Sequence, residues 1–196
     1  CGVPWRSCYT LIAAHLDLGF ERDNDEDLKR LRQFFEKSGC EYLIEKTDIG
    51  IHAHSEHNRK NPCFLCARLR RKRIYELAQQ TGCNTIAMGH HKDDIVETFL
   101  LNVFFSREIS TMVPNQPVFS GKFKIIRPLA YIDEYLIKSF AKESRLPVLN
   151  NACPTSGASY RTMVKELLAE LEQKHPGVRN NIFKALSNVK LEYLLS

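Results

Sequence analysis

Short apolar runs alternate with helix-period stretches, and this alternation constrains the chain more than any other feature. The run at 9–16 reads Tyr-Thr-Leu-Ile-Ala-Ala-His-Leu and stops at Asp17 and Gly19. Its length and abrupt polar end suit a strand buried in a parallel sheet. Comparable short runs occur at 42–44, 84–88 and 125–129. Between them lie stretches with helical spacing. Leu28, Leu31, Phe34 and Phe35 mark a helix over 27–37 that ends at Gly39. Leu69, Ile74, Leu77 and Ala78 mark one over 66–80 that ends at Gly82. Further helices are predicted over 94–105 and over 133–144, the latter with Leu136, Ile137, Phe140 and Ala141 on one face. Strand and helix in alternation predict an α/β fold with a mainly parallel sheet and flanking helices.

The connections are polar. Residues 48–61 are rich in histidine and predict a loop; residues 106–121 hold two prolines and predict another. After the loop at 149–159 the pattern is purely helical, over 160–174 and 178–195, broken at Pro176-Gly177. The expected organisation is therefore an α/β domain over 1–150 and a C-terminal helical segment over 151–196.

Composition narrows the class. The chain is 43% hydrophobic and 26% charged, enough apolar surface for a core. No window approaches 18 consecutive apolar residues, so no membrane span is expected. No basic segment followed by an apolar one opens the chain, so no secretory signal is expected and the location expected is cytoplasmic. A net charge of +5 leans mildly toward a polyanionic partner. Seven cysteines in such a chain suggest metal or redox chemistry rather than a disulfide frame.

Cys63 and Cys66 stand two residues apart after Asn61-Pro62, at the predicted start of a helix. The partial positive charge of a helix N-terminus favours thiolates there. The pair fits half of a zinc site, a redox disulfide or two ligands of an iron–sulfur cluster. Cys153 is the third candidate, and His52, His54 or His57 would have to complete a four-ligand zinc site. Three cysteines on a cluster instead leave one iron open. Spacing alone does not choose between these.

The helix after the pair opens with Arg68, Arg70, Arg71, Lys72 and Arg73 around a single leucine. This is either a solvated face or a set of phosphate contacts. Helical spacing puts Arg70 and Arg73 on one side. Gly89-His90-His91-Lys92-Asp93-Asp94 follows a predicted strand and opens a helix. Ligands of open α/β sheets sit beyond the carboxyl ends of strands. Paired carboxylates there suit Mg2+ on a triphosphate, and one of them also suits a helix cap. Asp17 and Gly19 hold the equivalent place after an earlier strand.

Together these residues resemble the PP-loop ATPase superfamily, and within it the tRNA 2-thiocytidine synthetase (TtcA) family. The matching stretches are 15–17, 62–71, 88–95, 126–131 and the tail from His175-Pro176-Gly177 to Asn188-Val189, in family order over nearly the whole chain. The resemblance implies an enzyme that adenylates C2 of an anticodon-loop cytidine with ATP and Mg2+, after which sulfur displaces AMP. Adenylation makes chemical sense because an oxygen at C2 leaves poorly until it carries a phosphoryl group. By position, Cys63, Cys66 and Cys153 match the three protein ligands of a 4Fe–4S cluster. Asp94 matches an acidic residue of metal binding or catalysis, and Arg70 a basic catalytic one. Asp17, Gly89, His90 and Asp93 fall on the nucleotide side. The implied partners are tRNA, a cysteine desulfurase or other sulfur donor, and a second copy in a homodimer. The alternatives are 2-thiouridine formation by the same superfamily and a non-catalytic metal- or RNA-binding relative.

Two departures stand out. Ser156 occupies the place where the family usually has a fourth cysteine. The family's Ser-Gly-Gly-x-Asp-Ser phosphate loop is not found, and 9–17 matches the family's second strand. The chain opens on Cys1 rather than Met, so the first strand and that loop are expected upstream of it, with 1–7 feeding the second strand.

Overall fold

The computed structural model describes residues 9–20, 25–58, 62–149, 153–155, 157 and 159–195. The readings placed on 1–7, on Asn61 and on Ser156 lie outside these. The chain forms two compact units, one of residues 1–76 and 141–156, the other of 77–140 and 157–196.

In the first unit, β1 (Ile12–Asp17) pairs in parallel with β2 (Glu41–Lys46), Ile12 opposite Glu41 and Asp17 opposite Lys46. α1 (Asp25–Ser38) makes the crossover, and it buries Leu28 and Leu31. A parallel pair needs such a crossover, and 14 residues of helix supply it. The predicted histidine-rich loop is partly helical. α2 (Ile49–Ala53) and a 3-10 turn (Glu56–Asn58) occupy it. Gly50 permits this: its N–H bonds Leu18 O at 2.7 Å, and a Cβ there would lie 2.5 Å from the Phe20 ring. α3 (Pro62–Gln80) begins four residues before the predicted helix start. Proline at the first helical position lacks only an N–H that would have no partner anyway.

In the second unit, β3 (Thr85–Ala87), β5 (Phe123–Ile126) and β4 (Asn115–Val118) form a sheet in the order β3-β5-β4. β3 and β5 are parallel; β4 and β5 form an antiparallel hairpin. β4 lies in the predicted proline loop. Its pairing partner, not its own polar Asn-Gln-Pro-Val sequence, makes it a strand. α4 (Lys92–Leu101) starts two residues before the predicted boundary and runs into a π-turn (Asn102–Ser106). α5 (Glu134–Glu143) and α6 (Tyr160–Lys174) form where predicted. The last helix is shorter than predicted: α7 covers Val178–Ala185, and only a 3-10 turn (Leu191–Tyr193) follows.

The second unit's core lies where α4, α6 and α7 pack together. Val96, Val164 and Leu168 are fully buried, flanked by Leu100, Leu101, Ile182 and Phe183. Each such side chain contributes roughly 1.5–3 kcal/mol by leaving water. This anchors the start of α4, where the acidic residues sit. Among the described residues no helix is long and apolar enough to cross a membrane.

Candidate functional site

The first unit brings the three cysteines together. Cys63 is at the second position of α3, and Cys66 follows one turn later on the same side. Cys153 comes from the 141–156 segment, ninety residues away in sequence. Thr155 joins them: its Oγ1 lies 3.3 Å from Cys63 Sγ and 3.3 Å from Cys153 Sγ. The two sulfurs are therefore no further apart than twice that distance. His54, on the turn after α2, lies with Nε2 3.2 Å from Thr155 Oγ1 and 3.7 Å from Cys153 Sγ. Its Nδ1 meets Gly50 O at 2.9 Å and its ring packs edge-on against Phe20.

Burial pushes the Cys66 thiol upward, and the neighbouring Cys153 and Cys63 push the same way, against the Arg70 guanidinium. All three thiols and Arg70 thus lie within one electrostatic neighbourhood. Among the described residues no three His, Cys, Asp or Glu side chains are close enough to share a single metal ion. Three thiols in one neighbourhood are donor chemistry that fits an iron–sulfur cluster.

The basic run divides by role. Arg73 is committed to Glu45 at 2.8 Å and Glu76 at 2.9 Å. Arg68, Arg70, Arg71 and Lys72 are exposed. Asp17, at the end of β1, turns its Oδ1 back onto the N–H of Gly19 at 3.0 Å, and its backbone oxygen accepts from Thr47.

The second unit holds the acidic residues. His91 caps α4: its Nδ1 accepts from the Asp94 N–H at 3.4 Å, and Asp94 Oδ2 accepts from the His91 N–H at 3.0 Å. The cap is thus His91, with Asp94 as its reciprocal partner, rather than Asp93 or Asp94 alone. Asp94 Oδ1 meets Arg161 at 3.0 Å. Asp93 is engaged at both oxygens, by the N–H of Glu134 at 2.8 Å and by Arg179 at 3.1 Å. Gly89 is exposed, with nothing within 4 Å of where a Cβ would stand; His90 is half-buried.

Sequence reasoning missed the residues beneath Asp94. Glu97 is fully buried and lies 3.4 Å from Arg161 and 3.7 Å from Lys165. Burial pushes its carboxyl upward, against the pull of Lys165 and Arg161. The available signal was a lone charge amid Ile95, Val96, Phe99, Leu100 and Leu101. Thr155, inside a loop, carried no signal at all.

Residues 5–171 match the family model described as PP-loop domain. A tRNA-cytidine(32) 2-sulfurtransferase of Geobacter sulfurreducens is 38% identical over 193 residues, covering 95% of this chain and 73% of the relative. The chain is a PP-loop protein of the tRNA-cytidine(32) 2-sulfurtransferase family. The enzyme of that name from Citrifermentans bemidjiense is 40% identical over 190 residues, again covering 73% of its length. Among solved structures, the U34-tRNA thiolase NcsA of Methanococcus maripaludis, described with its [4Fe-4S] cluster, superposes with a TM-score of 0.73 at 26% identity. That match covers 95% of this chain and 63% of the thiolase. The PP-loop assignment accords with the α/β architecture, and the family is one of transferases.

Proposed function

We propose that this chain thiolates tRNA, forming 2-thiocytidine in the anticodon loop at the expense of ATP. The observation that carries the reading is the convergence of Cys63, Cys66 and Cys153 beside Arg70 in a family of tRNA sulfurtransferases. These cysteines would hold a 4Fe–4S cluster. When bound, it supplies an iron position on which a transferable sulfur atom rests. Arg70, exposed one turn beyond Cys66, offers positive charge to a phosphate brought to the cysteines. Arg68, Arg71 and Lys72 add contacts to an RNA backbone.

In the second unit, Asp94 is the proposed residue for Mg2+, with Gly89, His90 and Asp93 as proposed nucleotide-binding residues; in the first unit, Asp17 is the proposed nucleotide-binding residue. Mg2+ at Asp94 would replace Arg161 on Oδ1, and Arg161 would keep Glu97 and Thr98 as partners. The organisation we assign to the chain is an α/β body over 1–150 with a helical segment over 151–196, a cytoplasmic location, a desulfurase or similar sulfur donor, and a homodimer.

Anaerobic purification tests this. The chain is expected to be brown, with about four iron atoms, and Cys63→Ala is expected to lose both colour and tRNA thiolation. A colourless protein with one zinc per chain would overturn the reading. The likeness to the U34-tRNA thiolase favours uridine as a second reading. Nucleoside mass spectrometry of tRNA from a deletion strain separates them: loss of 2-thiouridine with 2-thiocytidine intact would move the assignment to uridine.

A further inference from the structure

Thr155 presents one hydroxyl to three polar atoms. His54 Nε2 lies 3.2 Å away, and Cys63 Sγ and Cys153 Sγ each 3.3 Å. In each sulfur–hydroxyl contact either atom can be the donor. Gly50 O only accepts, so His54 Nδ1 donates to it. With both cysteines as thiols, each S–H can donate to Thr155 Oγ1; the Cys153 sulfur also lies 3.7 Å from His54 Nε2.

Cysteines that hold a metal are thiolates and only accept. The Thr155 hydroxyl, 3.3 Å from each sulfur, is then placed to donate to one of them. We propose that Thr155 is a positioning residue for the cysteine site, donating its hydroxyl to the ligating sulfur of Cys63 or Cys153, and that this bond sets the reduction potential of the bound cluster. A hydrogen bond to a ligating sulfur withdraws electron density and raises the potential. Outer partners of this kind tune a metal site without touching the metal. The inference rests on the cluster-binding function proposed above.

Two measurements test it. In the metal-free chain the Raman S–H stretching band reads the bond directly. Thr155→Val is expected to move the Cys63 and Cys153 bands to higher wavenumber, and Thr155→Ser to leave them in place. In the reconstituted chain, a redox titration followed by electron paramagnetic resonance reads the midpoint potential. It is expected to fall in Thr155→Val and to be restored in Thr155→Ser. An iron-loaded Thr155→Val with an unchanged potential overturns this inference alone. So does a Thr155→Ser chain whose potential shifts while that of Thr155→Val does not, since the methyl packing would then be what matters. An unaltered chain that binds no iron overturns the function itself, and with it the tuning of any cluster; the iron count shows that before any variant is made.

Discussion

The two polar clusters of this protein are built on opposite terms. In the second unit, carboxylates meet cations in a closed set. Asp93 has Arg179 and a backbone N–H, Asp94 has Arg161 and a backbone N–H, and Glu97 lies between Arg161 and Lys165. In the first unit, two thiols share one hydroxyl, an imidazole meets that hydroxyl and one of the sulfurs, and Cys63 is exposed. Internal satisfaction makes a scaffold. Groups that the fold brings together but satisfies only weakly remain available to a ligand. The contrast assigns rigidity to Glu97 and its cations, leaves the half-buried Asp93 and Asp94 with the nucleotide role proposed above, and makes the sulfur cluster the open one.

Loss of the cluster in Cys63→Ala is the largest effect expected, and it should come without a matching loss of stability. Glu97 gives the largest stability effect. Glu97→Ala leaves Arg161 and Lys165 facing each other over a cavity. The expected cost is about 2–3 kcal/mol, below the 3–5 typical of a fully buried pair, because both cations reach solvent. Glu97→Gln should cost under about 1 kcal/mol, since burial already disfavours the charge. Urea denaturation measures both, and an unaffected Glu97→Ala would break the scaffold assignment.

Asp93 sharpens the contrast. Its carboxylate accepts from the N–H at the start of α5, so Asp93→Ala should cost about 1–2 kcal/mol, as for a lost helix cap. An Asp93→Asn chain of full stability that no longer thiolates tRNA would show Asp93 serving the nucleotide as proposed, beyond its part in the scaffold.

The smallest effect is at the α6–α7 turn. Backbone N–H groups of Arg179 and Gly177 hold the Glu172 carboxyl below its usual range. A carboxyl depressed in the folded state stabilises above its unfolded pKa of about 4.3. That contribution disappears as pH falls through the lower folded value. Below pH 4.3 the difference in Tm between the unaltered chain and Glu172→Gln should shrink, from at most about 4 °C at neutral pH. A difference independent of pH would refute it.

Local pattern carried much of this architecture. α6 spans the predicted residues because Ser159 caps it and Pro176-Gly177 ends it. The readings failed where structure depends on distant partners. β4 is a strand only beside β5, and α2 is a five-residue helix settled on Leu18 and Phe20. The cysteine pair was legible from its spacing. Its union with Cys153 was implied by resemblance, because no local pattern links residues ninety positions apart. Arg73, grouped with Arg70 as a basic residue, is bound instead by Glu45 from β2.

One consequence concerns the hairpin's outer strand. β4 ends the β3-β5-β4 order, and Pro117 sits within it opposite Lys124. Proline has no N–H, so its nitrogen belongs on the side away from β5. The rim of the sheet therefore lacks a donor midway along a four-residue strand. A stray chain trying to zip onto that rim would find the ladder interrupted, which guards a newly made protein against sticking to its siblings.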